Sequence, residues 1–206
     1  MALEGLWSAF GQEAHRQLPW MELNLVLAVL PGLGASALHR WWRPIGWLRW
    51  PLLVTVALLL PNAPYVVTDL IHLRTAIELA PSRTAMLAGV IPLFAVLIAT
   101  GVLSYAYTMH LMRKHMRLSG WSRRRRIAVE VTVSGLCALG VALGRISRLN
   151  SWDVFMPGRL LHGLHVVSLD PRSVLLALVI VVVAGVAVDW LASDAAHALR
   201  DRLRQR

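Results

Sequence analysis

Long apolar blocks separated by short polar stretches set the pattern of this chain. Residues 50–68 and 84–112 contain no Asp, Glu, Lys or Arg. Both exceed the roughly 18 residues at which an apolar run reads as a membrane span. Five spans are expected, at 20–38, 47–65, 85–109, 127–144 and 174–192. The fold class that follows is all-α: a polytopic membrane helical bundle of about five transmembrane helices plus short interfacial helices, forming one integral membrane domain over 1–206.

Composition supports that reading. Of the 206 residues, 57% are hydrophobic and 16% charged, against about 25% charged in a soluble domain. Disorder, collagen and coiled coil are excluded by the same numbers. A disulfide scaffold is excluded because Cys137 is the only cysteine. It lies inside an apolar run with no basic neighbour in its turn, so it reads as a packing residue rather than a reactive thiol.

The net charge of +10 comes from 21 basic residues, of which only Lys114 is a lysine. Alternate loops carry 14 basic residues on one side and 7 on the other. Positive loops stay in the cytoplasm, which places the N-terminus outside and the C-terminus in the cytoplasm. Residues 113–126 become a basic cytoplasmic loop and 194–206 a basic cytoplasmic tail. Their juxtamembrane position points to anionic lipid and not to nucleic acid, because Trp121 is the only aromatic beside them suited to base stacking.

Ala35-Ser36-Ala37 resembles a signal-peptide cleavage site. The preceding stretch holds Glu4, Glu13 and Glu22 against a single Arg16, the opposite of a signal's basic start, so an uncleaved span is expected. Residues 1–18 read as an interfacial amphipathic segment. Trp7, Trp20, Trp41, Trp42, Trp47, Trp50, Trp121 and Trp190 fall near span ends, where indole prefers the interface. Small residues at Ser134, Ala138, Gly140, Ala142 and Gly144 offer a close-packing face over 134–144, a candidate homo-oligomer surface. Pro31-Gly32-Leu33-Gly34, and Gly89 with Pro92, are places where a helix can kink.

Two polar strings interrupt this pattern. Residues 60–73 read LPNAPYVVTDLIHL. Two prolines remove two backbone donors and bias Leu60 and Ala63 from the helical region, so the second span is expected to break there. Asn62 or Ala63 would cap a new helix with free N–H groups. If that helix continues, Tyr65, Asp69 and His72 form one stripe, with Thr68 beside it. Residues 144–153 read GRISRLNSWD. Arg145 and Arg148 share a helical face at i, i+3. Asn150 and Ser151 break the helix, and Trp152 and Asp153 open a new element. A short interfacial helix with His162 and His165 is expected over 157–167. In the five-span topology both strings emerge on the extracytoplasmic side.

These strings resemble the uncharacterised bacterial membrane proteins grouped as domain of unknown function 1361, and the likeness extends over roughly 24–153. The resemblance implies a multi-pass plasma-membrane protein and carries no established activity. Similar proteins tend to have an aromatic-acid step entering the third span. Here the residues are Arg83-Thr84-Ala85-Met86, so no carboxylate there joins a site.

Three chemistries compete for the strings. An anionic lipid or phosphorylated headgroup would use Arg145 and Arg148 with Asn62, Tyr65, Thr68, Asn150, Ser151 and Trp152. Asp69 and His72 would then be the catalytic base and acid, with Asp153 orienting the imidazole, if the site reacts. A divalent metal would use Asp69, His72 and Asp153, with His162 or His165, although no local cluster reaches the ligand count of a zinc site and no cofactor is expected. A proton-coupled permease would use Glu22, Asp69, Glu130 and Asp189. A non-enzymatic assembly role is the remaining alternative. Walker, dinucleotide, nucleophile-elbow and His-Glu-x-x-His motifs are absent.

Overall fold

The structure is a computed structural model that describes the backbone of residues 2–41 and 46–185 and the side chains of 21–40 and 46–185. The described chain is helical, without a strand. Helix α1 spans Ala2–Trp41, and residues 2–18 are the N-terminal part of that same helix. Next come α2 (Arg49–Leu59), α3 (Asn62–Tyr65) and α4 (Leu70–Glu78), with a 3-10 turn over Val66–Asp69. Then follow α5 (Arg83–Ala85), α6 (Ile91–Leu118), α7 (Arg123–Ile146), α8 (Pro157–Ser168) and α9 (Pro171–Gly185).

Four helical stretches are long and apolar enough to cross a membrane: Met21–Arg40, Gly46–Glu78, Arg83–Leu118 and Arg123–Ile146. The pair α8 and α9, bent by 97°, makes a fifth if counted as one broken span. This is a membrane protein built as an all-α bundle. The last residues of the fifth expected span, 186–192 with Asp189 and Trp190, and the tail 194–206 lie outside the described residues.

The expected break at the two prolines does not occur. Leu60 keeps helical dihedrals (φ −55°, ψ −38°) and so does Pro61 (φ −60°, ψ −25°). Pro64 has no N–H to give the Leu60 carbonyl, so the Ala63 N–H shifts to it at 3.1 Å. That shift frees the Leu59 carbonyl, which accepts from the Asn62 side-chain amide at 2.9 Å. Asn62 is therefore a donor repairing the helix and not an N-cap, and no free helix N-terminus opens here.

Irregular backbone survives at membrane depth only when protein encloses it. Three glycines enclose this segment. A Cβ at Gly101 of α6 would stand 2.3 Å from the Ala63 carbonyl oxygen, and one at Gly140 of α7 would stand 2.7 Å from the Pro61 ring. Gly144 faces the Tyr65 ring in the same way, at 3.1 Å. The small-residue face of α7 thus packs within the chain, and Ala138 and Ala142 are buried with it. Two apolar clusters meet on the segment. Leu60 and Ala63 belong to one with Tyr105, Cys137 and Val141, while Val66 belongs to the other with Ala28, Phe94 and Leu97. Cys137 is a buried packing residue, as expected.

The third long stretch contains a second irregularity. Residues Met86–Val90 form a π-turn closed by the Ile91 N–H on the Met86 carbonyl. Pro92 explains it, because a proline cannot donate to the carbonyl four residues back and its ring crowds that turn. The Pro31–Gly34 segment of α1, by contrast, stays helical.

Candidate functional site

The two polar strings meet. The Asn62 amide donates to Ser151 Oγ at 2.8 Å across 89 residues of sequence. The contact of Tyr65 with Gly144 seals the same junction. Both strings therefore sit at the C-terminal end of α7, one on the α3–α4 segment and the other on the turn that follows α7.

Within the first string the expected stripe is split. Over Val66–Asp69 the chain winds as a 3-10 turn, which adds about 20° per residue over an α-helix. Tyr65 consequently faces α7, whereas Asp69 turns toward α1 and accepts from Asn24 Nδ2 at 3.1 Å. Asp69 is only 2% exposed. The charges of His72 and Arg145 both act on it. His72 itself is exposed, and the Thr68 hydroxyl donates to the Tyr65 carbonyl at 2.7 Å.

The second string also departs from expectation. Helix α7 ends at Ile146, and Arg148 takes the left-handed conformation (φ 53°) in the turn beyond it. Leu149 N–H returns to the Leu143 carbonyl at 3.3 Å. Arg145 and Arg148 therefore do not share a helical face: Arg145 is half-buried and Arg148 exposed. The expected turn at Asn150 and Ser151 is present, with Trp152 and Asp153 in a 3-10 helix over Ser151–Phe155. Asp153 is fully buried and saturated locally. It accepts from the Asn150 N–H at 2.8 Å and pairs with Arg159. Its partner is not an imidazole and not Arg145 or Arg148, because the capping geometry turns its carboxylate toward the start of α8.

His162 and His165 are exposed on α8, and among the described residues no three His, Cys, Asp or Glu side chains come together as a metal set. Of the permease candidates, Glu130 pairs with Arg113 at 3.2 Å and Glu22 is exposed.

A small, half-open pocket of about 40 Å³, hereafter the groove, lies between α7 and α9 beside this junction. Thr68, Arg145 and Ser173 line its polar end, and Val141, Ala142, Leu176, Ala177 and Ile180 line the rest. Ser173 is held by Asp170, which accepts from both its N–H (3.2 Å) and its hydroxyl (2.7 Å). Those two bonds hold the Asp170 carboxyl below its ordinary range. The hydroxyl donors of Thr68 and Ser173 are thus engaged within the chain. Among the described residues the Arg145 side chain makes no hydrogen bond, and its guanidinium meets Asp69 by charge alone.

Over residues 23–187 the sequence matches the model of the protein family of unknown function DUF1361. The chain belongs to that family. No curated protein and no solved structure matches it. Membership in DUF1361 confirms the resemblance carried by the two strings, and the matched region spans all of α9, so it includes the groove.

Two residues of the site were not apparent from sequence. Asn24 is a lone amide in an apolar helix, itself a signal that a buried polar partner exists. Arg159 lies six residues beyond Asp153, outside any helical spacing rule that would have paired them.

Proposed function

We propose that this protein binds an amphiphile with an anionic headgroup, the head at Arg145 and the apolar chain along the α7–α9 groove. The observation that carries the reading is Arg145: half-buried in a membrane bundle, at the polar end of an otherwise apolar groove, with no hydrogen bond. Its guanidinium feels the charge of Asp69 but has no hydrogen-bond acceptor, and a phosphate oxygen pair supplies two in bidentate fashion. The apolar wall of Val141, Leu176 and Ile180 suits a segment of acyl chain laid along it. If the site reacts, Asp69 and His72 are its acid–base pair. Asp153 belongs to the adjoining corner.

The charge bias of the loops supports an extracytoplasmic location for this groove in a bacterial plasma membrane, with the α6–α7 turn in the cytoplasm. The test is native mass spectrometry of detergent-purified protein. Wild type and Arg148→Gln should retain a bound anionic lipid, and Arg145→Gln should lower its occupancy about tenfold, the value of one charged hydrogen-bond pair. Equal lipid occupancy in wild type and Arg145→Gln would overturn the reading.

A further inference from the structure

The turn joining α6 to α7 carries more positive charge than its own fold uses. Arg123, Arg124, Arg125 and Arg126 occupy the first turn of α7, which holds no acid. A helix N-terminus is the positive end of the macrodipole and repels cations, so four arginines there work against the helix they begin. Ser122 caps it by accepting from the Arg125 backbone N–H at 3.4 Å. Among the described residues none of the four arginine side chains forms a hydrogen bond or ion pair. Where this end of the bundle does use an acid, the pair is made: Glu130 holds Arg113.

Apolar side chains share the same tip. Leu118 is 75% exposed and Trp121 43% exposed. Gly120 in the left-handed region (φ 72°) reverses the chain between them, with the Trp121 N–H on the Met116 carbonyl at 3.0 Å. An indole and a leucine set among uncompensated arginines form the composition of a segment that seats at an anionic bilayer surface. Helix α7 has 24 residues, about 36 Å, so this tip and Arg145 lie at opposite interfaces of a bilayer core.

We infer that the α6–α7 tip is a docking surface for anionic headgroups of the leaflet it meets, independent of the groove at Arg145. Arg123, Arg124 and Arg125 attract the headgroups, and Leu118 and Trp121 anchor the tip among them. For the alternative polyanion, a nucleic acid, the tip lacks interleaved aromatics beyond Trp121 on which bases could stack.

The test uses the full chain in phosphatidylcholine vesicles, with spin-labelled phosphatidylglycerol and spin-labelled phosphatidylcholine as probes. Wild type should hold the anionic probe in preference to the zwitterionic one. The preference should fall about threefold or more in the Arg123→Gln/Arg124→Gln/Arg125→Gln variant and in high salt, and should persist in Arg145→Gln. A triple variant that keeps the wild-type preference overturns the proposal. So does a triple variant that melts earlier than wild type in detergent free of anionic lipid, because removing charges that oppose the dipole should leave α7 at least as stable there. Binding of a labelled single-stranded oligonucleotide that survives added anionic lipid, and is lost in the triple variant, would reassign the surface to nucleic acid.

Discussion

Asp69 and Asp153 are both buried aspartates at one end of the same bundle, and their surroundings differ in kind. Asp153 is enclosed by its own turn, with the Asn150 N–H and Arg159 both on its carboxylate. Asp69 is reached from three elements: Asn24 of α1 donates a hydrogen bond, while His72 of α4 and Arg145 of α7 act on it by charge. A locally saturated carboxylate fixes a corner of the fold. One shared among helices, beside an arginine without hydrogen bonds, is placed to respond to what that arginine binds.

The largest effect is expected from Gly101→Ala. Its Cβ would collide with the Ala63 carbonyl and with Val66, neither of which can yield easily. The cost should be about 3 kcal/mol, measured by denaturant unfolding in mixed micelles. It should displace the segment carrying Asp69 while leaving the Asp153 corner intact. Next, Asp153→Ala should cost about 2–3 kcal/mol in the same assay, because it strands the Asn150 N–H and uncouples Arg159. Asp69→Asn should cost less than about 1 kcal/mol, since an amide still meets Asn24 and one buried charge is removed. If Asp69→Asn proves as costly as Asp153→Ala, the contrast between the two carboxylates fails.

The smallest effect concerns the turn that positions Ser173 in the groove. Asp170 is held below its ordinary carboxylate range by Ser173, so its folded-state pKa is depressed. Its stabilisation is therefore complete above the unfolded-state value and fades as pH falls through the folded one. Thermal melts across the acidic range should show a slight loss for wild type that Asp170→Asn lacks. An identical acid dependence in both would remove Asp170 from the account.

Much of the architecture was legible because its causes are local. Charge-free runs longer than a bilayer core announce spans, and the Asn-Ser pair at 150–151 announces the turn that ends α7. Placing both strings at one end of the bundle needed only the alternation of spans. The helix through Pro61 and Pro64 was not legible. It depends on Asn62 repairing a freed carbonyl and on glycines of α6 and α7 enclosing the backbone, the glycine contacts being made across 35 or more positions. The Asn24–Asp69 bond spans 45 residues and leaves no periodic trace. Arg148 was assigned to a helical face because nothing in its identity signals a left-handed turn, a position that usually falls to glycine.

The central claim is that the two polar strings form one site, and the Asn62–Ser151 contact tests it most directly. In a Cys137→Ala background, Asn62→Cys with Ser151→Cys should form a disulfide efficiently under mild oxidation, while Asn62→Cys with Arg123→Cys, at the far end of α7, should not. Absence of the 62–151 crosslink in folded protein would contradict the shared site and, with it, the groove's assignment.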